Sequence, residues 1–299
     1  MTRPVLAISI GDAADLEKLG FPLREVNRVL FAVCTSFIRA GYLISYAGDL
    51  RPEGFTHTLF EFLAGTYAGQ GIIPFLYIVP STVSNDLDFS RALGLARDTR
   101  SIATIRLVRG HKTFLMRNAE GTILIGERGA GRLTISDDLQ WQAFLAAYPA
   151  PGDSQGLTDA RRSTSIIADG CVSMGGRTGL LDLPTDQYRG GMPGVAEEAL
   201  VFLRAKKPYV PLAAFGGATR DIAISLGYLH EHQRTPRGQQ VAGYQDVMDE
   251  IKLHAAGVEH KLRALLMAVA KEENAEEAAQ LSLAIIQAAS LDSKTAPRA

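Results

Sequence analysis

Short apolar segments that alternate with helical patterns limit the possible folds of this chain more than any other feature of its sequence. Residues 5–10 form a β-branched apolar run, and the apolar residues between Val26 and Phe37 then recur at the spacing of an amphipathic helix. The same alternation continues to Val79 and resumes after residue 156. Continuously apolar strands that alternate with helices are typical of a parallel sheet covered by helices on both faces. The sequence therefore predicts an α/β, Rossmann-like fold with a mainly parallel sheet.

The region between the two α/β stretches has a different pattern. Two strand-like runs at 113–116 and 122–125 are separated by a short polar segment and predict a β-hairpin. We interpret residues 81–156 as an insertion in, or an edge elaboration of, an α/β domain that spans residues 1–230. Residues 231–299 form a predicted helical C-terminal region.

The C-terminal region carries apolar residues at helical spacing, among them Leu262, Leu266 and Val269. A loose tail would not tolerate so many apolar positions. Because dimers are the commonest closed assembly, the sequence predicts that the protein self-associates as a homodimer.

The charge balance limits the classes of partner. The chain has 31 basic and 32 acidic residues and a formal net charge of -1. It therefore lacks the excess of positive charge that is typical of proteins that bind duplex nucleic acid or an anionic membrane. It also has no signal-like leader and no apolar run of about 18 residues, the length needed to span a membrane. We expect a cytoplasmic protein without a nucleic-acid or membrane partner.

The cysteines and histidines of the sequence do not form a recognisable metal-binding motif. Cys34 and Cys171 are isolated, and neither has a neighbour at the spacing of a metal or redox motif. His230 and His232 are two positions apart, which on a helix points their rings to different faces. We expect no metal site and no resident cofactor.

Four glycine turns each follow a predicted strand. They are Gly11-Asp12, Gly48-Asp49, Gly175-Gly176 and Gly216-Gly217. In a parallel sheet such turns lie at one edge, where glycine lets the backbone approach a ligand and helix N-termini offer amides to phosphate. A single turn of this kind is more often explained by backbone conformation alone. Four in register favour a nucleotide site.

The segment before the next predicted helix carries the strongest signal. Gly191, Pro193 and Gly194 deliver a helix whose first turn contains Glu197 and Glu198. The open amides of that turn are suited to hold a phosphate, and a glutamate there is suited to accept hydrogen bonds from a ribose. The alternative is that the glutamates only complement the helix dipole or close a capping arrangement.

Several segments resemble SLOG domains. Residues 43–51 (LISYAGDLR), followed by Gly54-Phe55-Thr56, resemble the second-strand region of these domains, and so do residues 168–176 followed by 190–198 and 215–217. The SLOG superfamily groups DNA-processing proteins, the LOG phosphoribohydrolases, and sensor or effector domains of bacterial conflict systems. The resemblance covers the first 80 residues and roughly residues 157 to 230, and it implies binding of a nucleotide or nucleotide derivative.

LOG enzymes cleave an N-glycosidic bond with a glutamate of a proline-glycine-glycine motif and an arginine upstream of it. The resemblance places the glutamate at Glu197 or Glu198. It offers more than one position for the arginine: Arg161, Arg162 or Arg189. The sequence departs from the motif where Val195-Ala196 replaces the glycine and threonine, so the resemblance does not by itself carry catalysis over.

Three hypotheses follow. The leading one is a sensor or regulator in a bacterial defence system that binds a nucleotide derivative, such as ADP-ribose or an NAD-related compound, and signals to an effector protein. The second is a LOG-like hydrolase of N-glycosidic bonds, and the third is a scaffold assembled through its C-terminal helices. The first two predict that one cleft at the carboxyl edge of the sheet contains the ligand-binding residues, which are Gly11, Asp12, Gly48, Asp49, Thr56, Gly175, Gly176, Gly191, Pro193, Gly194, Gly216 and Gly217.

Overall fold

The computed structural model describes residues 3–129, 131–188, 190–255 and 260–295. The strands are β1 (Val5–Gly11), β2 (Leu43–Ala47), β3 (Phe75–Val79), β4 (Ala103–Arg109), β5 (Lys112–Ala119), β6 (Thr122–Ile125), β7 (Leu133–Ile135), β8 (Gly170–Gly175) and β9 (Tyr209–Leu212). The helices are α1 (Leu23–Arg39), α2 (Phe55–Tyr67), α3 (Ser81–Asn85), α4 (Phe89–Asp98), α5 (Asp138–Ala147), α6 (Asp153–Ile167), α7 (Gly194–Arg204), α8 (Gly217–Ser225), α9 (Tyr244–Leu253), α10 (His260–Val269) and α11 (Ala275–Thr295).

The chain forms two compact units. The terminal unit consists of Met1–Tyr42 and Ala168–Ala299, and the middle unit consists of Leu43–Ile167. Within the described part of the chain, no helix is both long enough and apolar enough to cross a membrane.

The strands of the terminal unit are parallel and lie in the order β1-β8-β9. Ser9 of β1, which is aligned with Ser173 of β8, donates its hydroxyl to Glu198 of α7, so α7 covers that face of the sheet. Gly170 of β8 has the opposite parity and lies against Ile286 of α11. Because successive residues of a strand point to opposite faces, helices cover both faces of this sheet.

The C-terminal helices are part of the terminal unit. α11 packs along α1 and also contacts α10 and β9. Its Ile285 and Ile286 are fully buried, and so are Leu266 and Val269 of α10. The apolar positions that predict self-association therefore have partners within the chain, and the homodimer stays a prediction.

The middle unit combines parallel and antiparallel strands in the order β2-β3-β4-β5-β6-β7. β2, β3 and β4 are parallel, and the remaining strands continue antiparallel from β4. The predicted β-hairpin is confirmed as β5 and β6. The α/β alternation runs further than the sequence indicates, because β4 pairs with β3 inside the region interpreted as an insertion.

The sequence did not reveal β4 because its apolar run is interrupted by Arg106 and ends at Arg109. Arg109 is nevertheless buried, since its guanidinium donates to backbone carbonyls at the end of α5, including those of Leu145 and Tyr148. The predicted fold class is confirmed: an α/β protein with a mainly parallel sheet, a β-hairpin and helices at the C-terminal end.

Candidate functional site

Three of the predicted glycine turns meet in the terminal unit. β1 and β8 end side by side, with Gly11 aligned to Gly175, and the amide of Gly176 donates to the carbonyl of Gly11 at 2.9 Å. The turn before α8 joins them, because the amide of Ala218 donates to the carbonyl of Gly176 at 2.9 Å. The carboxyl ends of these strands thus form one edge of backbone groups, as a parallel sheet requires.

The N-terminus of α7 lies at this edge. Val195 approaches Gly176 so closely that a Cβ on that glycine would be 2.7 Å from the valine Cγ2. The first amide of the helix with a partner is that of Glu197, which donates to the carbonyl of Pro193 at 3.0 Å. The amides of residues 194–196 have no hydrogen-bond partner among the residues that the structure describes. Together with the helix dipole, these free donors favour an anion.

The N-terminus of α8 is different, because a side chain of the protein already occupies it. The amide of Gly217 donates to the Oδ1 of Asp15 at 2.7 Å, and Asp15 is buried. The next amide, that of Ala218, is the one bound to Gly176. The sequence did not indicate Asp15, whose partner in the hydrogen bond is 202 positions away.

Arg177 supplies a positive charge at the same edge. It follows the Gly175-Gly176 turn directly, and its guanidinium donates to the carbonyl of Gln187 at 2.6 Å and to the Oδ2 of Asp12 at 3.1 Å. Its side chain is 29% exposed, so it is open to solvent. Arg177 is not among the residues predicted from the sequence, although its position directly after a predicted glycine turn is a usable signal.

A buried carboxylate shapes the loop that carries Arg177. Asp186 accepts hydrogen bonds from the amide and the hydroxyl of Thr178 and from the amide of Leu180, at 2.8 to 3.2 Å. These bonds close residues 177–188 into a compact loop, which we call the Arg177 loop.

The two predicted glutamates lie at the start of α7 and are both buried. Glu198 accepts a hydrogen bond from the hydroxyl of Ser9, so its carboxylate lies between the helix and the sheet. Burial raises the pKa of Cys171 well above its ordinary value, and the charge of Glu198 raises it further. Burial does the same to Tyr209, with a smaller contribution from Glu198. Glu197 belongs to the first turn, beside the free amides.

The middle unit contains the other predicted turn. The carbonyl of Gly48 accepts a hydrogen bond from the phenol of Tyr77 at 2.9 Å. Asp49 is exposed and pairs with Arg51 at 2.6 Å, and Thr56 is buried in the first turn of α2.

The candidate catalytic arginines are distributed along the chain. Arg161 and Arg162 lie in the middle of α6, where the preceding Ala160 packs against Leu76 and Ile78 of β3. Arg162 is exposed. Arg189 lies outside the described residues, and Gly191 is exposed in the segment before α7.

The expectation that His230 and His232 point apart is wrong. Their rings stack at a centroid distance of 5.4 Å and an interplanar angle of 11°. Residues two apart point to different faces only on an α-helix, whereas this segment is a single 3₁₀ turn after an extended residue. Both side chains are exposed, and the described residues contain no group of three or more side chains suited to hold a metal ion.

The fold and the open helix N-terminus define the class: an α/β, Rossmann-like protein with an anion-favouring edge. The profile of the SLOG cluster2 family matches residues 1–105 and 134–284, and the chain belongs to this family. The predicted SLOG resemblance is thereby confirmed, and the match extends into the C-terminal helices. Membership indicates nucleotide-related binding or processing. Residues 106–133, which contain the β-hairpin, are not matched. A search of curated proteins found no match for the chain.

Proposed function

We propose that this protein binds a nucleotide derivative of the ADP-ribose or NAD class at the carboxyl edge of β1 and β8. We propose further that it acts as a sensor or regulator in bacterial defence, signalling to an effector protein. One observation carries the binding proposal: the amides of residues 194–196, which have no partner in the described part of the chain, lie beside the Gly176 turn, and this turn leads directly into Arg177.

The chemistry of that edge suits a phosphate. Hydrogen bonds to a charged acceptor contribute about 1.5–3 kcal/mol each, and a helix N-terminus offers several in one direction. Arg177 adds a planar donor set that matches phosphate oxygens. Asp12 repels phosphate, but Arg177 already pairs with it and offsets its charge.

The amide of Gly194 offers a sharp test, because it can be removed without removing a side chain. Proline is well tolerated at the first position of a helix, and Pro193 before it already has the extended backbone that a following proline needs. Gly194→Pro deletes this N–H, whereas the control Gly194→Ala keeps it and also lacks a polar side chain.

Titration calorimetry with AMP, ADP, ADP-ribose and NAD measures the outcome. We expect the parent and Gly194→Ala to bind the same ligand within threefold of each other. We expect Gly194→Pro to bind about 10- to 100-fold more weakly, which corresponds to one lost charge-assisted hydrogen bond. Binding by the proline variant equal to that of the alanine variant, or no binding by the parent, would contradict the proposal.

The position of Glu197 favours a second candidate function, the LOG-like hydrolysis of an N-glycosidic bond. A carboxylate in the first turn, next to amides that hold a phosphate, is suited to stabilise positive charge that develops on the ribose. A hydrolase would release free base from the bound nucleotide, and Glu197→Gln or Glu198→Gln would abolish turnover while the ligand still binds. A sensor returns the nucleotide intact, as chromatography of the incubated mixture would show.

A further inference from the structure

A second segment of the terminal unit lies along the Arg177 loop. Residues 234–241, which we call the strap, bond to this loop through the backbone. Leu181 donates its amide to the carbonyl of Gln239 at 2.9 Å, and Val241 donates to the carbonyl of Gly179 at 2.9 Å. The side chain of Gln240 adds a bond to the carbonyl of Thr178 at 3.3 Å. The Arg177 loop is therefore held by bonds to the strap as well as by its own residue Asp186.

The strap is anchored on one carboxylate of α8. Asp221 is completely buried, and its Oδ1 accepts hydrogen bonds from Arg234 and Arg237, each at 2.8 Å. Its Oδ2 accepts from the phenol of Tyr244 at 2.7 Å. Arg234 begins the strap and Tyr244 lies just after its end, so a single side chain fixes both of its ends.

A buried carboxylate with two arginines is not a reliable source of stability, since its desolvation offsets much of the attraction. Burial indeed raises the pKa of Asp221, against the lowering effect of Arg237. Buried charge of this kind is better suited to specify one arrangement of the segments that it joins.

We propose that Asp221 is a positioning residue for the ligand site: through the strap it fixes the Arg177 loop and hence the guanidinium of Arg177. This role rests on the proposed nucleotide-binding function. Asp221 acts through two arginines and the ladder at Leu181 and Val241.

The substitution Asp221→Asn tests this role, because it keeps the shape and one acceptor but removes the charge. The exchange rates of amide hydrogens in the unliganded protein measure directly how firmly the strap is bonded to the Arg177 loop. We expect exchange at the amides of Leu181 and Val241 to accelerate at least tenfold, with unchanged exchange in β1. The control Glu250→Gln breaks the exposed ion pair with Arg204 in the same unit and should change neither amide.

A double-mutant cycle separates positioning from a merely structural effect. We expect Asp221→Asn to weaken binding of the calorimetric ligand about five- to tenfold in the parent. In an Arg177→Gln background, which no longer has the guanidinium to position, it should weaken binding less than twofold. An equal loss in both backgrounds, or exchange that accelerates throughout the unit, would overturn the role.

A milder variant covers the case in which Asp221→Asn does not fold. Tyr244→Phe removes only one of the three bonds to Asp221 and should give an intermediate acceleration at Leu181 and Val241. Unchanged exchange in both variants would show that Asp221 does not hold the strap in place. A parent protein that binds no nucleotide would instead contradict the proposed function. The positioning role falls in either case, and the two measurements show which.

Discussion

Replacing Gly217 by alanine tests what the glycine turns do in the protein itself. The backbone of Gly217 is left-handed, with a φ of +63°. A Cβ at this position would lie 2.3 Å from the carbonyl oxygen of Gly176 and 2.6 Å from the carbonyl carbon of Gly175. Both atoms belong to the backbone at the end of β8, so no flexible side chain can move to make room.

The cost of the substitution has two parts. The left-handed backbone costs an alanine about 1–2 kcal/mol, and forcing an extra carbon against packed atoms costs about 1–3 kcal/mol more. Gly20→Ala is a matched control, because Gly20 has a φ of +85° and nothing within 4 Å of its added Cβ. We therefore expect Gly217→Ala to lower the free energy of unfolding by about 1–3 kcal/mol more than Gly20→Ala does.

Thiol labelling in urea provides the assay. Cys34 and Cys171 are both buried in the terminal unit, so their reaction with a thiol reagent reports the unfolding of this unit alone. The urea midpoint should fall clearly further for Gly217→Ala than for Gly20→Ala, at equal dependence on urea. Equal midpoints for the two variants would refute the packing argument, because the contact at Gly217 would then cost nothing.

Other consequences of the structure are open to measurement in the same way. Asp186→Ala leaves buried donors of the Arg177 loop without an acceptor and should cost about 1–3 kcal/mol per unsatisfied group in urea unfolding, while Asp186→Asn recovers part of it. Burial raises the pKa of Tyr228 from 10.0 to about 12. The stability that comes from burying the neutral phenol of Tyr228 is therefore complete below pH 10, and about 3 kcal/mol of it is lost as the pH rises to about 12. Urea midpoints should fall across that range while phenolate absorbance rises. Burial likewise raises the pKa of Cys34 to about 12, so without urea neither cysteine should react at pH 8, and labelling of either native thiol would contradict this.

The sequence was sufficient to predict the strands whose two faces are both buried. Apart from Ser9 and Ser173, the residues of β1 and β8 are apolar or glycine because helices cover both faces of these strands, and such runs are recognisable without tertiary information. β4 was not predicted from the sequence because the carbonyls that stabilise the buried Arg109 lie at the end of α5, about 36 positions away. A charge in an apolar run indicates exposure unless its distant acceptors are known.

The site was harder to predict than the fold. Glycine indicates either an unusual backbone conformation or a close approach, but it does not say which atoms come close. At Gly217 those atoms are the backbone of another turn. Arg177 and Asp15 were missed for a related reason: their roles depend on partners that only the tertiary structure brings near. Likewise, the apolar pattern of α11 predicts a partner helix, which is α1 of the same chain.

α7 and α8 both begin at the edge of the terminal unit, but only the N-terminus of α8 is bound by a carboxylate among the described residues. Both present amides and a positive dipole end to the same group of turns, and at α8 the protein satisfies this demand with the carboxylate of Asp15. Within the described residues, no carboxylate hydrogen-bonds to the amides of residues 194–196, and Asp12, in the adjoining turn, is paired with Arg177. Because the chain itself supplies an anion to the N-terminus of α8 but none of its described residues supplies one to α7, the N-terminus of α7 favours an anion from outside, and the proposed role of Arg177 is to add positive charge beside it.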